Sequence, residues 1–159
     1  MKFLEFDTKK DFYYENGFYL TSNNSRLGKM LTHYELYKMI INLPGDIVEF
    51  GVFKGASLIK WATFRELFEN SESRKVIGFD IFGKFPKTNF EDDIQLRHKF
   101  MKEAGEMGIS IEDLYQVLEY KGLKNIDLIE GDILETAPKY IEDNSNLKIS
   151  LLHIDVDIY

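Results

Sequence analysis

Glu49, Gly51 and Gly55 fall within IVEFGVFKGASL, residues 47–58, as an acid followed by two glycines four residues apart. An acid at the start of such a loop can receive an ammonium group or order the loop itself. Backbone N–H groups beyond it can bind a carboxylate. An amino-acid-bearing nucleoside carries both groups, and S-adenosylmethionine is the commonest cofactor of that kind. The pattern E-x-G-x-x-x-G is not the dinucleotide fingerprint G-x-G-x-x-G, because Phe53 stands where its middle glycine would allow a pyrophosphate to approach. Nor is it a phosphate loop, G-x-x-x-x-G-K-S/T. Three more acids sit at comparable places: Asp80 ends KVIGFD, Asp132 follows IDLIE, and Asp155 ends ISLLHID. Asp80 is placed to accept both ribose hydroxyls of such a nucleoside, and Asp132 to accept the adenine amino group. Taken singly, each acid reads as a solvated loop carboxylate. Their recurrence at one end of successive strands is what points to a site, since ligands of open parallel sheets bind outside the carboxyl ends of the strands.

The elements that must hold these acids follow from periodicity. Ile47–Gly51, Lys75–Asp80, Ile126–Glu130 and Ile149–Asp155 are short apolar runs that read as buried strands. Between them, Ala56–Asn70 and the stretch after Ser110 carry helical spacing. Ser110 with Asp113 three residues on reads as an N-cap, and Gly122 closes that helix. Thr136–Glu142 reads as a further short helix. Ahead of the first strand, Arg26–Leu43 places Leu27, Met30, Leu31, Tyr34, Tyr37 and Ile41 near helical spacing, and Pro44-Gly45-Asp46 stops it. DFYYENG ends in a glycine, and the following FYLTSNNS is expected to be an extended piece and a polar turn. Strands alternating with helices imply βαβ units, so the expected fold class is α/β with a Rossmann-like parallel sheet.

Composition bounds the partners. The chain has 159 residues, a formal net charge of −7, 44% hydrophobic residues and no cysteine. It shows no basic stripe, which disfavours nucleic acid as the main partner. Apolar runs reach only about five residues, far short of a membrane span. The amino terminus MKFLEFDTKK has no signal-peptide core, so a cytoplasmic location is the default expectation.

The stretches RLGKMLTHYELY (26–37), PGDIVEFGVFKGAS (44–57) and VIGFDIFGKFP (76–86), with the ending LLHIDVDIY, together resemble the macrocin O-methyltransferase family. Its members are class I, S-adenosylmethionine-dependent, metal-assisted enzymes that methylate sugar hydroxyls of natural products and surface glycans. The interval Lys87–Gly108 carries little of the likeness, and the closing D-x-D-x-Y is its most specific piece. After the second strand the family often has Asp-Ser-Phe, where this chain has Asp80-Ile81-Phe82. The resemblance implies that Glu49, Gly51, Gly55 and Ser57 line the methionine end of the cofactor, with Asp80 at the ribose and Asp132 at the adenine. It implies that Asp155 is the first acidic ligand of a magnesium ion and so takes part in catalysis. A divalent cation would lower the pKa of a sugar hydroxyl and fix it in line with the sulfonium methyl. It implies a small-molecule sugar or glycoside as substrate. Related metal-dependent catechol-type enzymes carry a lysine at the position of Ile158. The class I strand order places the first strand between the second and fourth. Family members continue past the position of Tyr159, so the expectation is a truncated product whose fourth strand is an apolar edge, covered in a homo-oligomer.

Residues 1–43 are read as an N-terminal arm and leading helix, and 44–159 as the cofactor-binding domain. His153 shares a strand face with Asp155; a core histidine bonded to a neighbour is favoured over a catalytic one. His33 and His98 are expected to be structural or exposed. The aromatics between Phe12 and Tyr19 are expected to dock the arm on the core rather than form a lid. Lys9-Lys10 and Glu91-Asp92-Asp93 read as solvated charge. Two other functional classes stay open: a non-catalytic cofactor-binding or assembly module derived from such an enzyme, and a nicotinamide-dependent oxidoreductase, which Phe53 argues against.

Overall fold

The computed structural model describes residues 1–84 and 91–156. Phe85–Phe90 and the closing Asp157, Ile158 and Tyr159 therefore lie outside the described residues, as do the side chains of Glu91, Asp92, Asp93, Leu96 and Glu103. The chain opens with two-residue strands β1 (Lys2–Phe3) and β2 (Phe6–Asp7), paired antiparallel, and a short 3-10 turn at Thr8–Lys10. Helices α1 (Asp11–Thr21) and α2 (Asn24–Ile40) follow. Then come β3 (Asp46–Phe50), α3 (Ala56–Phe68), β4 (Val76–Asp80), α4 (Glu91–Ala104), α5 (Ile111–Tyr120), β5 (Ile126–Glu130), α6 (Ile133–Asp143) and β6 (Ile149–Ile154).

The four long strands form one parallel sheet in the order β5-β4-β3-β6. The strand that opens the βαβ run is thus flanked by the second and the fourth, as expected of the class I order. Strand order reverses beside β3, which makes its carboxyl end the switch point where ligands bind in such sheets. Alternation along β3 feeds two layers. Ile47 faces a core with Tyr37 and Ile40 of α2, Leu58 and Trp61 of α3, and Leu114 and Leu118 of α5. Val48 joins Ile77 and Phe79 on the other face, under Ile133, Ala137 and Tyr140 of α6. Buried on both faces, β3 and β4 read as near-continuous apolar runs in sequence.

Local chemistry sets the helix ends. Asn23 caps α2 by accepting from Ser25 N, and Ser110 caps α5 by accepting from Asp113 N at 3.0 Å. The expected extended piece after Gly17 is instead the second half of α1. One glycine in a helix costs only about 1 kcal/mol relative to alanine, and Thr21 Oγ1 donates back to Gly17 O at 2.7 Å within the helix. The docked aromatic arm is also corrected. Phe12 is 74% exposed and Tyr13 71%; only Tyr14 is drawn in, its hydroxyl accepting from Asp7 N and its ring edge-on to Phe6. α6 starts three residues earlier than periodicity suggested, because Asp132 caps it through Leu134 N. α4 occupies an interval for which the sequence suggested no helix.

A buried polar knot ties the amino ends of the strands together. Arg74 donates to Gly45 O, Ile40 O and Ser150 Oγ, and pairs with Glu69 at the end of α3 at 2.8 Å. Glu69 also accepts the hydroxyl of Tyr37. The opposite, carboxyl end of the sheet is thereby left to the acids singled out above.

Candidate functional site

The glycine loop leaves β3 through Gly51, whose φ of +88° is open to glycine alone without strain. A Cβ there would also run into the carbonyl oxygen of Asp155, so Gly51 is what lets β6 end against the loop. Gly55, at φ +79°, is the N-cap of α3 and offers no side-chain cap. Between them, Val52 N and Phe53 N donate to Asp80 Oδ2 at 2.7 and 2.8 Å. Phe82 N donates to Asp80 Oδ1 at 3.0 Å. Asp80 therefore orders the loop, and the capacity it retains for ribose hydroxyls is the remaining lone pairs of its two oxygens. On the far side, Phe53 O accepts from Ile109 N at 2.8 Å, which clips the loop to the segment before α5.

Glu49 is fully buried on the face that carries α2 and α3. Its Oε1 lies 2.8 Å from His153 Nδ1, whereas Oε2 has no hydrogen-bond partner among the described residues. Burial pushes its carboxyl pKa up, opposed by His153 and by the Ser57 hydroxyl close by. Ser57 sits in the first turn of α3, where the uncapped N–H groups carry the positive end of the helix dipole. An acceptor for an ammonium and donors for a carboxylate thus stand side by side, which is the fit an α-amino acid requires.

His153 is itself enclosed. Its ring lies edge-on to His33 at 5.0 Å and to Trp61 at 5.5 Å, and His33 stacks on Trp61 at 4.5 Å. Burial, with Lys60 next in effect, pushes the His33 pKa down to about 4, so it is neutral near pH 7. His33 is structural and buried and His98 exposed, as expected, and His153 is the neighbour-bonded core histidine that the sequence favoured.

Asp155 emerges beside this group and pairs with Lys29 of α2 at 2.7 Å. Burial alone would raise its pKa; the Lys29 hydrogen bond and charge outweigh that and lower it. Among the described residues no three His, Cys, Asp or Glu side chains are grouped to hold a metal, and Asp157, the second acid of the D-x-D motif, lies outside them. Asp132 is exposed and caps α6, joined to the rest through Gly131 N, which donates to Asp80 O at 2.9 Å. Sequence reasoning brought Glu49, Ser57, Asp80 and Asp155 to one end of the sheet. It missed Lys29 and Trp61, and placed His33 only as a structural residue. The available signal was Lys29 and His33 one helical turn apart, matching the spacing of His153 and Asp155 along one strand face.

Residues 25–159 match the family model described as macrocin-O-methyltransferase (TylF). Among solved structures, a crystal structure of the calicheamicin methyltransferase CalS11 is similar at TM-score 0.70 and 26% identity, over 96% of this chain and 62% of that one. The apo structure of CalS11, described as a TDP-rhamnose 3'-O-methyltransferase of calicheamicin biosynthesis, matches at TM-score 0.60 and 26% identity, over 96% and 59%. The O-methyltransferase NovP shares the fold at TM-score 0.63 and 18% identity, over 80% of this chain and 52% of that one. The chain thus spans about three fifths of the length of the first of these structures. No curated protein matches the sequence significantly.

Proposed function

The chain belongs to the macrocin-O-methyltransferase family, and from that premise we propose that it binds S-adenosylmethionine at the carboxyl ends of β3 and β4, as part of an enzyme that methylates a sugar hydroxyl. The observation that carries the reading is the pairing of a buried, half-unpartnered Glu49 carboxylate with the uncapped N-terminus of α3. Glu49 and the first turn of α3, with Ser57, would hold the amino-acid end. Gly51 and Gly55 keep backbone rather than side chain against it. Asp80 would face the ribose and Asp132 the adenine. When bound, the cofactor supplies an electrophilic sulfonium methyl for transfer to a nucleophilic oxygen.

A small-molecule sugar or glycoside as acceptor is supported by the likeness to CalS11. Magnesium assistance is an expectation of the family that the described donors do not support, so no step is assigned to it. No helix among the described residues is long and apolar enough to cross a membrane; a cytoplasmic site of action stays a proposal. The division into an arm and leading helix, 1–43, and a cofactor domain, 44–159, is proposed on the break at Pro44. Association of copies through β6 is supported by the exposure of Ile149, Leu152 and Ile154, and light scattering on the purified chain tests it.

The decisive experiment is a calorimetric titration with S-adenosylhomocysteine, with and without magnesium chloride. Saturable binding of one molecule per chain is expected, and absence of heat in both arms would refute the site. Transfer of labelled methyl to a sugar nucleotide separates an enzyme from a non-catalytic cofactor-binding module.

A further inference from the structure

We propose that His153 is a positioning residue for the ammonium group of the cofactor's amino-acid end, acting through Glu49, and that His33 and Trp61 hold His153 in place for that task. The inference rests on the cofactor site argued above and adds residues that lie outside its loop.

The argument begins with the unequal oxygens of Glu49. Oε1 is tied to His153 Nδ1 at 2.8 Å, and Oε2 is buried with no hydrogen-bond partner among the described residues. A buried, unpartnered carboxylate oxygen destabilises a fold unless something satisfies it. The first turn of α3 offers its free N–H donors to the cofactor's carboxylate, and the ammonium carried beside that carboxylate would satisfy the oxygen that the fold leaves open. Locking Oε1 leaves Oε2 as the open acceptor and removes the freedom of the carboxylate to turn, so less order has to be imposed on binding.

The lock is built from four separate elements. β3 and β6 pair in a register that sets Glu49 opposite His153. α3 brings Trp61 and α2 brings His33 edge-on to the His153 ring, at interplanar angles of 70° and 76°. α2 is fixed along β6 by a second rung, Lys29 to Asp155 at 2.7 Å. Lys29 and His33 are a helical turn apart, and Asp155 and His153 lie two residues apart on one strand face, so the two rungs reinforce one docking geometry. With Glu49 ionised, the Nδ1–H of His153 donates to Oε1 and the ring cannot swing away between its aromatic walls.

Two probes isolate the effect in the full chain: S-adenosylhomocysteine, and 5'-methylthioadenosine, the same nucleoside thioether without the amino-acid end. His153→Asn places an amide nitrogen where Nδ1 stood; His153→Gln places it where Nε2 stood and leaves Oε1 without its donor. His153→Gln is expected to weaken S-adenosylhomocysteine by about tenfold, a charged hydrogen-bond effect, while methylthioadenosine stays within about twofold. His153→Asn is expected to keep S-adenosylhomocysteine within about threefold of wild type. Trp61, the single tryptophan, should change its emission with S-adenosylhomocysteine and not with methylthioadenosine. Should His153→Gln fail to fold by circular dichroism, His33→Leu removes one wall and is expected to show a smaller loss with the same selectivity. Equal losses for both probes, or none for either, would overturn the positioning role. Wild-type protein that binds neither probe would instead overturn the cofactor site itself.

Discussion

Asp80 Oδ2 accepts the backbone N–H of Val52 at 2.7 Å, so the acid that ends one strand closes the loop that leaves its neighbour. Phe53 N joins it at 2.8 Å and Phe82 N reaches the other oxygen at 3.0 Å. Loop order depends on this carboxylate, and so would the ribose contact proposed for it.

Asp80→Ala should for that reason lower stability as well as affinity. Losing a shared charged acceptor for three part-buried N–H groups is expected to cost about 2–4 kcal/mol. Urea unfolding would show this as a lower midpoint, and S-adenosylhomocysteine affinity should fall at least about tenfold. Asp80→Asn, which keeps one acceptor oxygen, should fall between the two proteins. Unchanged unfolding in Asp80→Ala would show that the loop does not depend on this acid.

Two glycines should respond oppositely to alanine. At Gly51, with φ +88° and the Asp155 carbonyl in the way, alanine is expected to destabilise by more than about 2 kcal/mol. At Gly17, inside α1 with open space around its Cα, alanine should stabilise by about 0.5–1 kcal/mol. Thermal melts of both variants test the contrast.

Arg74→Met should be among the most damaging single changes outside the site. It strands the Glu69 carboxylate and removes donors from Gly45 O, Ile40 O and Ser150 Oγ. Breaking one side of such a buried pair costs about 3–5 kcal/mol. Denaturant titration should also show partial recovery in the double variant Glu69→Gln/Arg74→Met, because the unpaired charge is gone.

His33 should give the fold a pH dependence of definite sign. Its pKa falls from 6.5 to about 4 in the native state, burial being the largest cause. The unfolded chain therefore takes up this proton first as pH falls, and stability declines from pH 6.5 down to about 4. The contribution is on the order of 1–3 kcal/mol. Burial and its neighbours Lys60, His153 and Lys29 favour the neutral ring, and Asp155 opposes them. Unfolding free energy measured across that range should have a shallower slope in His33→Leu; parallel slopes would assign the proton elsewhere.

The sequence by itself determined the layer order and the end of the sheet where the candidate site lies. Ile47–Phe50 and Val76–Asp80 declare themselves because a strand covered on both faces is apolar along most of its length. Ser110 declares a helix start because capping is settled within one turn. Glu49, Asp80 and Asp155 were legible as candidate site residues because their places follow from where each strand stops. What only tertiary structure decided are relations across the sheet. Lys29 meets Asp155 over 126 residues of chain, and His33 meets His153 only because α2 docks along β6. No local periodicity encodes the β3–β6 register that sets Glu49 beside His153. The turn of Asp80 toward Val52 and Phe53 is likewise invisible locally, since it depends on how Gly51 lets the loop fold back over the neighbouring strand. Short-range geometry writes burial into sequence, but partners of a buried charge are chosen by packing of the whole domain.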